Sequence, residues 1–112
     1  MIGTATGVHV SITGLGCHVP ERVVTNEELA RLVDTSDEWI TTRTGIKERR
    51  FAADDEALSD ICIPAIERAL AAAGVSAREI DLLIVATVTP DMMFPSTAAL
   101  LADRFGMVDA AA

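Results

Sequence analysis

Polar and apolar residues alternate from Val8 to Leu15, with Val8, Val10 and Ile12 on one side, the period of a half-buried strand that Pro20 ends. Thr25 and Glu28 have capping-box spacing. Leu29, Leu32 and Val33 follow at helical intervals, so a short helix is predicted over about 26–33. Thr35 and Glu38 repeat the pattern and open a second short helix through Trp39, Ile40 and Arg43, which Gly45 stops. Residues 46–52 are basic and extended. From Leu58 the apolar set Ile61, Cys62, Ala65, Ile66, Ala69, Leu70, Ala73 sustains a long amphipathic helix that Gly74 closes. Pro64 interrupts that pattern, removes the hydrogen bond to the Asp60 carbonyl and predicts a kink near Asp60. Ser76 and Glu79 mark a single helical turn. Ile80 to Thr87 is an unbroken apolar run, as in a strand covered on both faces. Pro90 to Phe94 reads as a loop. Pro95 suits a first helical position, and Ala98 to Phe105 form a helix ended by Gly106.

This order alternates strands and helices, which implies an α/β layered fold with a mixed sheet and packed helices. No internal repeat or low-complexity linker divides residues 1–112, so no internal boundary is expected. The apolar pattern stops mid-phrase at Ala110–Ala112, and the chain reads as part of a larger domain.

Half of the residues are apolar and only 4% are aromatic, so the core must be built from Ala, Val, Leu and Ile. The net charge of −8 disfavours nucleic acid, whose phosphates need clustered cations. The leader Met1 to Thr6 has no basic signal-peptide region, and no apolar run is long enough for a membrane span. A cytoplasmic protein without membrane partners is expected. Cys17 and Cys62 make neither a disulfide framework nor, with His9 and His18, a metal spacing. No metal is expected.

The strongest candidate chemistry lies at Trp39 and Arg43, four residues apart and therefore on one helical face. Lys47, Arg49 and Arg50 follow, so an indole and a group of cations cluster in an acidic chain. That pairing suits a ligand with an aromatic base and phosphates: the base stacks and the guanidinium pairs. Thr35 could add a hydroxyl contact. An interface Trp beside a solvated basic strand is the alternative. Gly14-Leu15-Gly16 lacks the third glycine of a dinucleotide loop, and close packing at a strand end is the better reading. Cys17 and His18 are neighbours on an extended chain and point apart, so they form no activated thiolate pair. Cys62 lies on the apolar stripe. Asp34, Asp37, Glu38 and Asp54, Asp55, Glu56 favour helix starts. Phe94 is an interface anchor if exposed and a core residue if buried.

Taken together, Thr25-Asn26, Glu28-Leu29, Val33-Asp34-Thr35-Ser36-Asp37-Glu38-Trp39-Ile40 and Arg43-Thr44-Gly45-Ile46-Lys47-Glu48-Arg49 resemble the amino-terminal segment of the β-ketoacyl-acyl-carrier-protein synthase III family, of the thiolase superfamily. Ala86-Thr87 and Phe94-Pro95-Ser96 agree at the right separation. The resemblance implies the amino-terminal part of a thiolase-like fold. It also implies an acyltransferase that condenses an acyl-CoA primer with malonyl-acyl-carrier protein to start fatty-acid synthesis. Its partners would be acyl-CoA, acyl-carrier protein, a second copy in a homodimer and the remainder of the same polypeptide. No cofactor is implied; the coenzyme A thioester is a substrate. Trp39 matches the residue that stacks on adenine, Arg43 one near the phosphates, Thr35 one beside the adenine. Phe94 matches one that reaches the partner's acyl pocket. The family's nucleophilic Cys and its His and Asn have no counterpart here, so no catalytic residue is expected and the chain alone should be inactive. Sister synthases that prime polyketides or alkylquinolones share the Trp-bearing string. A non-catalytic module that binds coenzyme A or dimerises is the rival of another class.

Overall fold

The computed structural model describes residues 9–112; the expectations for the leader Met1–Thr6 and for Val8 lie outside those residues. Residues 22–51 close on themselves. β1 (Arg22–Thr25) pairs antiparallel with β2 (Glu48–Phe51), Arg22 opposite Phe51 and Thr25 opposite Glu48. The extended stretch after Gly45 is therefore β2. The sequence pattern assigns no element to its partner strand β1, because four residues are too few to display a period.

Two helices fill the span between the strands. α1 (Asn26–Leu29) starts at Thr25, whose hydroxyl accepts from the Glu28 N–H at 3.2 Å. It ends four residues earlier than its apolar spacing predicts. The chain tightens into i−3 bonds, Arg31 N to Glu28 O and Leu32 N to Leu29 O, and Leu32 and Val33 stay exposed. A helix this short persists only where packing holds it. α2 (Asp37–Thr44) starts at Ser36 rather than Thr35, with Ser36 Oγ accepting from the Trp39 N–H at 3.1 Å. Gly45 ends it at φ +71°, the left-handed turn that sends the chain into β2.

α3 (Leu58–Ala73) runs unbroken through Pro64 to Gly74. No break near Asp60 accompanies the proline: only the one bond from position 64 to the Asp60 carbonyl, at the end of the first turn, is lost, and the residues after Pro64 continue the ladder. The Asp91 carboxylate accepts from the Ser59 N–H at 3.0 Å and serves one of the orphan donors of that turn. Segment 9–19 lies across α3. A Cβ placed on Gly14 would stand 2.5 Å from the Ala69 carbonyl oxygen and 2.6 Å from Ala73 N. One on Gly16 would meet the Ala65 carbonyl and stand 2.5 Å from Ala69 N. The two glycines thus permit backbone-on-backbone contact, as their strand-end position predicts. Arg68 donates to the Cys17 carbonyl across the same seam.

A single 3₁₀ turn (Ala77–Glu79) follows Ser76 as its spacing predicts. α4 (Thr97–Phe105) is capped by Ser96, which sets Pro95 outside the helix instead of at its first position. Ala98, Leu101 and Ala102 of α4 and Met107 beyond it are the buried apolar side chains of this half. The apolar run 80–87 meets one strand neighbour among the described residues: Leu82 bridges Ala111 in parallel, with α4 in the connection. Extended backbone counts as strand only when a neighbour completes the ladder. The runs at 9–19 and 84–88 have none among the described residues, and Val10, Ile12, Leu15, Ile84 and Val88 stand exposed. The accessible surface is 8759 Å². A compact monomer of this mass shows about 6,000 Å².

Candidate functional site

The Trp39 ring is 53% exposed, outside the core. The Arg43 guanidinium carbon lies 4.5 Å from the ring centroid, so indole and cation form one surface a single helical turn apart. Ser36, Glu38 and Thr42 complete a shallow depression of about 290 Å³ with them. Thr42 Oγ1 is spent on the Glu38 carbonyl at 2.6 Å. The capping bond at Ser36 fixes the first turn of α2 and hence the root of the Trp39 side chain.

The cluster of cations divides in two. Arg49 donates to Asn26 Oδ1 at 2.7 Å and to the Val24 carbonyl at 3.2 Å. Arg50 donates to the Pro20 and Glu21 carbonyls. Both are engaged in holding β1 and β2. The side chains of Arg43 and Lys47 have no hydrogen-bonded partner among the described residues and remain for an anion. Thr35 does not line the depression: its Oγ1 is buried, with no hydrogen-bond partner among the described residues.

Phe94 is 88% exposed, Met93 98% and Val88 97%, so the loop before α4 projects an apolar tip. Cys17 and Cys62 are free thiols. Burial, and then the negative charge of Asp91, push the Cys62 thiol above its ordinary pKa, the opposite of what a thiolate nucleophile needs. No group of three or more His, Cys, Asp or Glu side chains among the described residues could hold a metal ion. No helix among them is long and apolar enough to cross a membrane.

Sequence spacing brought Trp39 and Arg43 to notice and missed Asn26, the fully buried polar residue beneath them. Its partners Asp37, Ile46 and Arg49 lie far along the chain, so no local period marks it.

No family model matches the chain. A β-ketoacyl-[acyl-carrier-protein] synthase III of Symbiobacterium thermophilum is 61% identical over 103 residues, 92% of this chain and 31% of that protein. The crystal structure of 3-oxoacyl-[acyl-carrier-protein] synthase III from Aquifex aeolicus matches with a TM-score of 0.80 at 47% identity, over 88% of this chain and 32% of that one. The priming β-ketosynthase of a polyketide biosynthetic pathway matches with a TM-score of 0.81 at 37% identity, over 94% of this chain and 33% of that one. The chain spans about a third of the length of the curated relatives it matches. Its helices and small antiparallel sheet are a part of the thiolase-like α/β fold of these synthases. Within that class the chain matches β-ketoacyl-[acyl-carrier-protein] synthase III proteins over about nine-tenths of its own length.

Proposed function

We propose that this chain supplies the coenzyme A platform of an acyltransferase that condenses an acyl-CoA primer with malonyl-acyl-carrier protein, the first step of fatty-acid synthesis. The observation that carries the reading is the half-exposed indole with a guanidinium at 4.5 Å. An exposed cation–π contact contributes about 0.5–1 kcal/mol. Stacking of a base on an aromatic ring contributes about 1–3 kcal/mol. An adenine can therefore displace Arg43 from the ring, and the freed guanidinium turns to the phosphates. Lys47 adds a second cation nearby in sequence. The Thr35 hydroxyl lies enclosed outside the depression without a partner, and meets a polar edge of the ligand only if its side chain turns outward.

The exposed apolar loop at Val88, Met93 and Phe94 fits a homodimer contact in which Phe94 reaches the partner's acyl pocket. The uncovered faces at Val10, Ile12 and Ile84 fit packing against further polypeptide of the same enzyme. Nucleophile, base and oxyanion donors come from outside residues 1–112, so the chain by itself performs no condensation. Neither free thiol suits the nucleophile, and the raised pKa of Cys62 supports that reading. No cofactor takes part, and the setting is the cytoplasm. A sister synthase that primes polyketides is the second reading, favoured by the TM-score of 0.81 to the priming β-ketosynthase.

The test is coenzyme A affinity by calorimetry in the full-length protein carrying this chain. Trp39→Ala removes the stacking surface and should weaken binding about 5- to 150-fold. Arg43→Ala should weaken it about tenfold or more, with a smaller salt dependence. Unchanged affinity in both variants would return Trp39 to the role of an interface residue.

A further inference from the structure

Asn26 is the first residue of α1 and is fully buried. Its carboxamide has two N–H donors, and they meet Asp37 Oδ1 at 2.7 Å and the Ile46 carbonyl at 2.8 Å, with Thr41 Oγ1 at 3.3 Å. Its Oδ1 accepts from Arg49 at 2.7 Å, and its main-chain N–H donates to the Lys47 carbonyl at 3.3 Å. Only one orientation of the amide works. The flipped one would set its oxygen against a carboxylate and a carbonyl, and its NH₂ against a guanidinium. Buried polar groups tied from several sides specify a single geometry.

The geometry specified is that of α2. Asp37 and Thr41 are one turn apart on the same face, and Thr41 Oγ1 also donates to Asp37 Oδ1 at 3.2 Å. Ile40, buried to 7% exposure, belongs to that inward side. Trp39 and Arg43 each follow these contacts by two positions, a rotation of about 200° around the helix. Holding Asp37 and Thr41 inward therefore turns the indole and the guanidinium outward.

We propose that Asn26 is the positioning residue of the nucleotide platform. It grips α2 by Asp37 and Thr41, ties that helix to β1 and β2 through Arg49 and the Ile46 carbonyl, and presents Trp39 and Arg43 to the ligand without touching it. The assignment rests on the coenzyme A reading above.

Asn26→Ala strands Arg49 and Asp37 and threatens the fold, so the test starts from the exposed end of the network. In the full-length protein, Asp37→Ala removes the acceptor that links Asn26 to α2. Asp37→Asn keeps an acceptor oxygen while also removing the first-turn charge. Coenzyme A affinity and thermal unfolding are measured for both, with Trp39→Ala as reference. Asp37→Ala should bind coenzyme A roughly three- to thirtyfold more weakly, and Asp37→Asn should recover affinity to within about twofold at a similar melting temperature. Wild-type affinity in Asp37→Ala while Trp39→Ala has lost it overturns the positioning role. An equal loss in both Asp37 variants, or failure of Asp37→Ala to fold, overturns it too. Unchanged affinity in Trp39→Ala instead brings down the coenzyme A reading beneath it.

Discussion

Gly16→Ala isolates the contact between segment 9–19 and α3. The added Cβ would stand 2.5 Å from Ala69 N and closer to the Ala65 carbonyl, where ordinary contact begins at 3.4 Å. Segment and helix must separate by about 0.9 Å to clear Ala69 N alone and by more to clear the Ala65 carbonyl, and both obstacles are main-chain atoms that no rotamer can move. Overpacking costs about 1–3 kcal/mol, and a backbone obstacle puts this substitution near the upper end, about 3 kcal/mol. With a urea slope of about 3 kcal/mol per molar, the unfolding midpoint of the full-length protein should fall by about 1 M. Gly45→Ala provides the contrast. No atom lies within 4 Å of its added Cβ, and only the strain at φ +71° remains, about 1–2 kcal/mol. The double variant Gly16→Ala with Ala69→Gly should recover nothing, because the Ala69 side chain is not what the new methyl strikes. An unshifted midpoint for Gly16→Ala, or recovery in the double variant, would show that the new methyl meets no backbone obstacle here.

Two further outcomes follow from local contacts. Ser36→Ala removes the cap of α2 and should cost about 1 kcal/mol in urea melts, with weaker coenzyme A binding as the first turn frays; a loss of affinity without loss of stability would contradict the capping account. Cys62 has a folded-state pKa raised by burial and then by Asp91, so the folded protein keeps this proton at a pH where the unfolded chain releases it. That contribution is full below the unfolded thiol's pKa and fades as pH climbs through the folded value. Alkylation at Cys62 should accordingly stay slow through neutral pH and rise only above the ordinary thiol range, and rapid labelling at neutral pH would contradict it.

The parts of the fold legible in the sequence are those set by neighbours in the chain. Gly45, Gly74 and Gly106 all close helices at positive φ, as their positions after apolar runs predict. Trp39 and Arg43 share a face because helical spacing alone places them there. What escaped depends on distant partners. β1 shows itself only by pairing with β2, and Asn26 only by the helix and strand it joins. Arg49 and Arg50 read as free cations until their carbonyl and amide partners are seen. The runs 9–19 and 80–88 carry strand composition, but a ladder needs a second edge, and their composition cannot provide one. Thr35 and Ser36 are equally good caps side by side, and only the backbone geometry chose Ser36.

The chain has one tryptophan and no tyrosine. Excited at wavelengths where its three phenylalanines do not absorb, it therefore emits from a single ring, the half-exposed one beside Arg43. Lifting the guanidinium away and laying a purine in its place would change the surroundings of that one indole. This stretch of polypeptide carries a built-in optical gauge of its own occupancy, readable without a label.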